Sequence, residues 1–167
     1  LGAFSGTTNI AVGDAPRTLA VGDFNGDGNQ DFAAGNDSSA NVSIRLGNGA
    51  GGFTPASTPE VTVGTRPRSI AVGDFNNDGK LDIAAANNLS MSVSILVGDG
   101  FGGFSRTDVA VGSGPFVAVG DFNGDGKQDF ATANFSSNNV SIRLGACFQA
   151  PTLGTYANTS VTLGANT

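Results

Sequence analysis

One nine-residue segment occurs three times in this chain of 167 residues, and it constrains the fold more than any other feature. It reads D-F-N-G-D-G-N-Q-D at 23–31, D-F-N-N-D-G-K-L-D at 74–82 and D-F-N-G-D-G-K-Q-D at 121–129. Each copy has an oxygen-bearing side chain at positions 1, 3, 5 and 9, and a glycine at position 6. Such residues also cluster in ordinary turns. Three copies in one register indicate a loop with a specific task.

The spacing of these oxygens is typical of a calcium-binding loop, because Ca²⁺ takes about six to eight oxygen ligands. Glycine at position 6 allows the sharp turn that such a loop needs. An EF-hand would have Glu at position 12, where Ala34, Ala85 and Thr132 stand, so we expect the Asp at position 9 to close each loop. We predict three Ca²⁺ per chain, each bound by the side chains at positions 1, 3, 5 and 9 and the backbone carbonyl at position 7. The predicted ligands are Asp23, Asn25, Asp27, Asn29 and Asp31; Asp74, Asn76, Asp78, Lys80 and Asp82; and Asp121, Asn123, Asp125, Lys127 and Asp129.

The loops divide the chain into similar units of about 50 residues, a period typical of propellers and other repeat arrays. In each unit a run ending in A-V-G-D leads into the loop, and an apolar run follows it at 32–35, 83–86 and 130–133. A third run reads V-S-I-R-L-G or V-S-I-L-V-G, and a fourth contains V-T-V-G at Val61 or V-A-V-G at Val109. Short runs with alternating apolar residues favour β-strands.

Four such strands predict one antiparallel propeller blade per unit. The composition, with 13% charged residues and 26 glycines, also favours strands and tight turns. The expected fold is all-β: three four-stranded antiparallel β-propeller blades that form an incomplete propeller or a blade array. The expected boundaries are an outer strand at 1–13 that is open to exchange, blade repeats at 14–64, 65–112 and 113–150, and a C-terminal outer strand or extension at 151–167.

Residues 16–148 resemble the FG-GAP or VCBS-type repeat, through D-F-N-G-D-G-x-x-D followed by V-S-I-x-x-G and G-G-F. That family supplies the calcium-binding blades of integrin α-subunit propellers and of many bacterial surface proteins. The resemblance implies a blade fold, Ca²⁺ as a structural ion and an extracellular setting, but no particular partner. The chain departs from the family in its count, because rings generally need about four to eight blades and only three loops are present.

Charge and composition narrow the function classes. Nine of the fourteen acidic residues lie in the loops, and three Ca²⁺ would bring the formal charge of −6 close to zero. The acidic balance therefore indicates metal sites and gives no sign of nucleic-acid binding. No apolar run reaches about eighteen residues, so we expect no membrane insertion. The only cysteine, Cys147, cannot form an internal disulfide, and we expect it to be a small buried hydrophobe, with pairing to another chain as the alternative.

The expected location is outside the cell, secreted or at the cell surface, where calcium near millimolar fills sites of the weak class. The chain begins with Leu1 and shows no signal segment, so we expect a piece of a longer precursor. Glycosylation on Asn, or on Ser and Thr, stays open. Six N-x-S/T sequons are present, although a chain rich in these residues produces them by chance: Asn36, Asn41, Asn88, Asn134, Asn139 and Asn158.

Residues suited to catalysis are scarce, and we expect no enzyme activity. Histidine is absent, and the only Glu, Glu60, stands alone in a Pro- and Thr-rich connection. Stacking on sugars favours Trp and Tyr, of which only Tyr156 is present. We interpret the twelve Phe residues, including Phe24, Phe75 and Phe122 at loop position 2, as core packing.

Two functions remain. The first is a calcium-stabilised scaffold that assembles into a homo-oligomer or filament, with residues 1–12 or the segment from Thr152 onward pairing as a strand with an adjacent copy. Unpaired strand edges at both ends of an open array favour it. The second is a binding module that belongs to a larger closed propeller, completed by further blades of a longer chain, and holds a protein or glycan ligand. The mass and symmetry of the particles would separate the two.

Overall fold

The computed structural model describes residues 8–145 and 157–161, and all regular structure in this part of the chain is β-strand. Twelve strands form three antiparallel sheets of four, which confirms the all-β blade architecture. The strands are β1 Pro16–Gly22, β2 Asp31–Asn36, β3 Asn41–Gly47, β4 Phe53–Thr62, β5 Pro67–Gly73, β6 Asp82–Asn87, β7 Ser92–Gly98, β8 Phe104–Ala110, β9 Pro115–Gly120, β10 Asp129–Asn134, β11 Asn139–Leu144 and β12 Ala157–Val161.

Each sheet is one blade, and its strands pair in chain order: β1 to β4 in blade 1, β5 to β8 in blade 2, and β9 to β12 in blade 3. The first strands, β1, β5 and β9, lie beside one another and form the inner side of the array. The outermost strands pair in one register, with Val61 opposite Val42, Val109 opposite Val93 and Val161 opposite Val140. The C-terminal strand therefore completes blade 3.

The hydrophobic core lies between the sheets. One cluster joins blades 1 and 2 and includes Phe24, Ile44 and Ile83, and a second joins blades 2 and 3 and includes Phe75 and Phe130. A sheet between two others is covered on both faces, which is why β6 is buried along its whole length. The third strand of the middle blade, β7, alternates in sequence, yet both of its faces are buried for the same reason.

Polar side chains on the third strands are buried with hydrogen-bond partners. In blade 1, Glu60 accepts hydrogen bonds from Ser43 Oγ and from Arg45 Nη2, the latter at 2.6 Å. The expectation that Glu60 stands alone is therefore wrong, because strand pairing places it beside Arg45. Blade 2 has a related group in which Asp108 accepts from Ser94 and Arg106.

A buried asparagine ends the second strand of each blade. The side-chain amide of Asn36, Asn87 or Asn134 donates to Oγ of a serine on the neighbouring strand, at 2.8 to 2.9 Å. Two of these residues, Asn36 and Asn134, belong to sequons, and their burial leaves no room for a glycan. A glycan on either side chain would be incompatible with this folded blade, because the same amide donates the hydrogen bond to the serine.

The interpretation of every Phe as core packing is wrong for four of them. Phe24 and Phe75 are buried between blades, but Phe122 at the same loop position is 49% exposed, because no further blade covers that side of blade 3. Phe101, Phe116 and Phe135 are also exposed. Cys147, Tyr156 and residues 1–7 lie outside the described part of the chain. No helix in residues 8–145 and 157–161 is long and apolar enough to cross a membrane.

Candidate metal centre

The three predicted loops connect the first and second strands of the three blades. They lie between β1 and β2, between β5 and β6, and between β9 and β10, so all three are at the same end of their blades. The chain turns at positions 4 and 6, where φ is positive: Gly26 and Gly28 in the first loop have φ of 74° and 84°. The second loop has Asn77 at position 4 with φ of 60°, a conformation that Asn tolerates better than most residues.

The aspartate at position 1 is surrounded by backbone donors. Asp23 Oδ1 accepts from the N–H groups of Gly26 and Asp27, and its Oδ2 accepts from Gly28 at 2.8 Å. The third loop repeats these three hydrogen bonds at Asp121, and the second has two of them at Asp74. The sequence favours this turn, because the glycine at position 6 adopts its positive φ without steric cost.

Positions 3 and 5 are ordered in the same way. Asn25 Oδ1 accepts from the N–H of Asp27, and Asp27 Oδ1 accepts from the N–H of Asn29 at 2.8 Å. The equivalent hydrogen bonds are present in the second and third loops. Each loop therefore fixes its side-chain oxygens by its own backbone.

The aspartate at position 9 is fully buried and joins three parts of a blade. Asp31 Oδ2 accepts from the N–H of Phe24 in the loop, and Oδ1 accepts from the N–H of Gly47 at the end of β3. Asp82 and Asp129 make the same pair of bonds, with distances from 2.6 to 2.9 Å. Position 9 therefore closes the loop and also fixes it to the third strand.

Sequence reasoning missed the glycines that donate to position 9. Gly47, Gly98 and Gly145 each end the V-S-I-x-x-G run, and that recurring glycine is the signal that could have revealed them. A Cβ at Gly47 or Gly98 would collide with the backbone carbonyl of loop position 8. Glycine is thus required there for close approach of the third strand to the loop.

The loop carboxylates differ in their electrostatics. Burial raises the pKa of Asp82 to about 6, against the lowering effect of its bonds to Gly98 and Phe75, and the charges of Asp78 and Asp74 raise it further. Two exposed loop carboxylates, Asp27 and Asp121, behave in the opposite way. The pKa of Asp27 is held below the usual value mainly by the backbone hydrogen bond from Asn29. The pKa of Asp121 is held below it mainly by the backbone hydrogen bond from Gly126. Three carboxylates per loop in this arrangement concentrate negative charge that a cation would offset.

The residue at position 7 distinguishes the loops. Lys127 Nζ lies 3.0 Å from Asp125 Oδ2, and its hydrogen bond is the main cause that lowers the pKa of Asp125. Lys80 is farther from Asp78, at 3.8 Å, and the first loop has the neutral Asn29. The position-7 carbonyl as a ligand stays a prediction.

The donor set of each loop fits Ca²⁺ in chemistry. Three carboxylates and an amide oxygen are hard ligands, and a carboxylate that accepts two N–H bonds keeps further lone pairs. Among residues 8–145 and 157–161, no three acidic, histidine or cysteine side chains gather into one metal-binding group. The loop carboxylates here are directed by backbone N–H groups, so the ligand roles of the fifteen predicted residues stay predictions.

The comparison with known families agrees with the repeats. Two segments, residues 23–85 and 74–132, match the FG-GAP-like repeat family, and together they cover more than half of the chain. Each matched segment begins at a loop aspartate and reaches the second strand of the following blade. No curated protein matches the sequence. On its loops, its blades and this match, the chain belongs to the FG-GAP-like repeat family.

Proposed function

We propose that this protein is a non-enzymatic extracellular scaffold whose blades are stabilised by Ca²⁺ and assemble by strand pairing into an oligomer or filament. The observation that carries the proposal is the threefold loop, in which equivalent carboxylates accept equivalent backbone N–H groups at one end of three blades. Metal-assisted catalysis would need an open coordination position in a water-excluding cleft. A loop repeated in every blade is better suited to holding the blade together.

Removal of calcium tests the structural role of the ion. If Ca²⁺ binds only the folded protein, an excess of 100 Kd stabilises it by about 2.7 kcal/mol per site. We expect a markedly lower melting temperature in EDTA than in millimolar calcium. Asp27→Ala, Asp78→Ala and Asp125→Ala should each remove one bound ion, counted by elemental analysis, whereas Asp14→Ala, outside the loops, should remove none. Identical melting in EDTA and in calcium would exclude the calcium-stabilised scaffold.

Two segments of the chain carry the sequence of an outermost strand. Residues 10–13 read I-A-V-G and residues 161–164 read V-T-L-G, and both resemble the V-T-V-G of β4. Val161 already pairs with Val140 as Val61 pairs with Val42. The same edge of β11 therefore suits residues 8–12 of an adjacent copy, which would replace β12.

The contacts of the N-terminal segment support this proposed exchange. Ala11 O accepts from Arg45 Nε of blade 1, just as Ala110 O, at the end of β8, accepts from Arg143 of blade 3. The N–H of Gly13 bonds Ser43 Oγ, as the N–H of Gly64 bonds Ser94 Oγ. Residues 11–14 thus contact blade 1 as the residues at the end of an outermost strand contact the next blade.

Truncation tests the strand pairing. We expect deletion of residues 1–12 to abolish large particles in calcium, as measured by light scattering and electron microscopy. Deletion of residues 157–167, which include the competing strand β12, should promote assembly. If the full-length and both truncated chains are monodisperse monomers in calcium, self-assembly by strand pairing is wrong.

A ligand-binding module of a larger propeller is the second candidate, and an exposed aromatic side chain favours it. Phe101 is 78% exposed and lines a groove with Asp23, Lys80 and Asp99 at the loop end of the array. An aromatic ring beside charged groups suits a glycan or a protein ligand. Binding on a glycan or protein array that Phe101→Ala abolishes, by a chain that stays monomeric in calcium, would favour this function over the scaffold.

A further inference from the structure

The array ends in two sheet faces that no other blade covers. The leading face is the side of blade 1 away from blade 2, with the apolar side chains of Leu19, Val21 and Phe32. The trailing face is the side of blade 3 away from blade 2, with Phe116 and Phe122. Four of these five side chains are among the exposed large hydrophobic residues of the described chain, the exception being the half-buried Phe32.

The leading face has the same residue types as the faces that are covered inside the molecule. Leu19 and Val21 lie four and two residues before the first aspartate of their loop. At the same positions of blade 2, Ile70 and Val72 pack against the core between blades 1 and 2. At the same positions of blade 3, the two valines pack against the core between blades 2 and 3. Leu19 and Val21 are instead 59% and 51% exposed.

Residues of the trailing face are exposed, whereas the equivalent residues of blades 1 and 2 are buried. The phenylalanine at loop position 2 is 1% exposed in blade 1 and 4% exposed in blade 2, where the next blade covers it, and 49% exposed at Phe122. On the second strand, Ala86 is fully buried, whereas Ala133 at the same position is exposed. The leading face therefore matches one side of the two internal blade junctions, and the trailing face matches the other side.

We propose that the trailing face of one copy packs on the leading face of a second copy, in the geometry of the two internal junctions. The proposal rests on the self-assembly proposed above and identifies its contact surface. The occupant is a second copy because specific pairs of residues on the two faces match across such a junction. One matching pair lies at the loop end of the blades and a second at the opposite end. A third contact lies on the inner strands.

The first matching pair is at the loop end. Between blades 2 and 3, Gln128 Oε1 accepts from the N–H of Asp74, and a Cβ at Gly73 would collide with this glutamine. Gln30 has the same loop position as Gln128, and Gly120 corresponds to Gly73. The atoms nearest to a Cβ built at Gly120 belong to the ring of Phe122 and are 3.6 Å or more away, which leaves space for Gln30 of a second copy to accept from the N–H of Asp121.

The second pair is at the opposite end. Between blades 1 and 2, Arg68 Nε lies 2.9 Å from Asp37 Oδ1, where Asp37 follows the buried asparagine that ends β2. The residue equivalent to Arg68 on the leading face is Arg17, and the residue equivalent to Asp37 on the trailing face is Phe135, which is 81% exposed. An arginine over an aromatic ring is a favourable cation–π contact.

On the inner strands, the contact between copies would lack a hydrogen bond that both internal junctions have. Thr18 and Ser69 accept from the N–H groups of Ile70 and Val117 across the internal junctions. Phe116 has that position in blade 3 and has no hydroxyl, so it would contact Leu19 of the second copy through apolar atoms alone.

A charge-reversal experiment on the pair Arg17 and Phe135 tests the junction. Both side chains are exposed, so substitutions there should not disturb folding. Phe135→Arg places two arginines together, and we expect it to raise the concentration for half-assembly in calcium at least tenfold by light scattering. Phe135→Asp recreates the ion pair of the first internal junction and should retain assembly, now weakened by salt.

The double variant Phe135→Arg with Arg17→Asp should restore assembly, whereas Leu89→Arg, an exposed apolar residue away from both faces, should not change it. If wild type assembles and Phe135→Arg assembles equally well, or the double variant gives no rescue, the facing surfaces are wrong while self-assembly stands. If wild type fails to assemble in calcium, the proposed scaffold function itself fails.

Discussion

The buried aspartate at loop position 9 has two tasks that are linked by one carboxylate. Asp82 accepts from Phe75 in the loop and from Gly98 at the end of β7, and its burial is what raises its pKa to about 6. A bound cation would favour the ionised form that burial disfavours. At the scale of single residues, binding of a cation and loop closure would therefore be coupled at this position.

We predict that calcium lowers the pKa of Asp82. In the calcium-free protein its folded-state pKa lies above the usual aspartate value of 3.8, so ionisation costs folding free energy and this contribution to stability is lost as pH rises from about 4 to 6. Carbon NMR titration of the side-chain carboxyl should show a midpoint near 6 without calcium and well below it with calcium. Asp108, whose pKa Arg106 lowers, should titrate alike in both conditions. An Asp82 midpoint unchanged by calcium would contradict the prediction.

A second prediction concerns the buried asparagines. Thr132 Oγ donates to Asn134 Oδ1 at 3.0 Å, whereas the equivalent oxygens of Asn36 and Asn87 have no partner, because alanine stands at the threonine position. Thr132→Val keeps the volume and removes the donor, so it should lower the free energy of unfolding by about 1–2 kcal/mol. Thr132→Ser, which keeps the hydroxyl, should lower it less. Chemical denaturation in calcium measures both, and equal losses would contradict the assigned hydrogen bond.

Residue types and spacing could predict the loop, because the turn and its oxygens are local in sequence. The partners of position 9 could not be predicted, since Gly47 and Asp31 meet only when β3 returns beside β2. Glu60 was misjudged for the same reason, because its contact with Arg45 depends on strand register. Contacts between strands that are distant in sequence depend on how the strands pair, and no single segment of the sequence predicts this pairing.

At the scale of elements, the three loops share one backbone geometry and differ in side-chain charge. Lys127 lies close to Asp125 and would compete with a cation for the carboxylate, whereas the first loop has the neutral Asn29. We therefore expect the first loop to bind calcium most tightly.

Lys127→Asn should raise the calcium affinity of the third loop by about threefold to tenfold, because it removes a positive charge from the site. Calorimetric titration would measure the change. Lys80→Asn is the matched control and should have a smaller effect, since Lys80 lies 3.8 Å from Asp78. Equal effects of the two substitutions would mean that the lysine contact does not set the affinity.

The strands themselves were predictable from short apolar runs between turns, but the burial of both sheet faces was not. Alternation in V-S-I-R-L-G is typical of a strand with one solvent-exposed face, yet Ser43 is buried and Arg45 is only 8% exposed. Their environment is created by Glu60 on the paired strand β4 and by residues 11–13, and periodicity within one strand carries no information about either.

At the scale of the whole molecule, the period of the repeats predicted the blades, because each unit is a supersecondary element that needs its neighbours to bury its faces. The exposed Phe122 shows why the repeat alone could not predict burial. Its sequence context matches that of Phe24 and Phe75, and its environment depends on whether a further blade follows.

The placement of the core between sheets gives the array the thermodynamics of a one-dimensional chain of nearest neighbours. The three blades described here share two core clusters, so each end blade has one coupling term where the middle blade has two. Every contact between copies would add a third coupling free energy per chain, between the end blades of two copies, without any change within a blade. The melting temperature should therefore rise with protein concentration in wild type, and at each concentration it should be lower in Phe135→Arg. Differential scanning calorimetry over a hundredfold range of concentration measures this, and a constant wild-type melting temperature would mean that the end blades unfold without help from a neighbour.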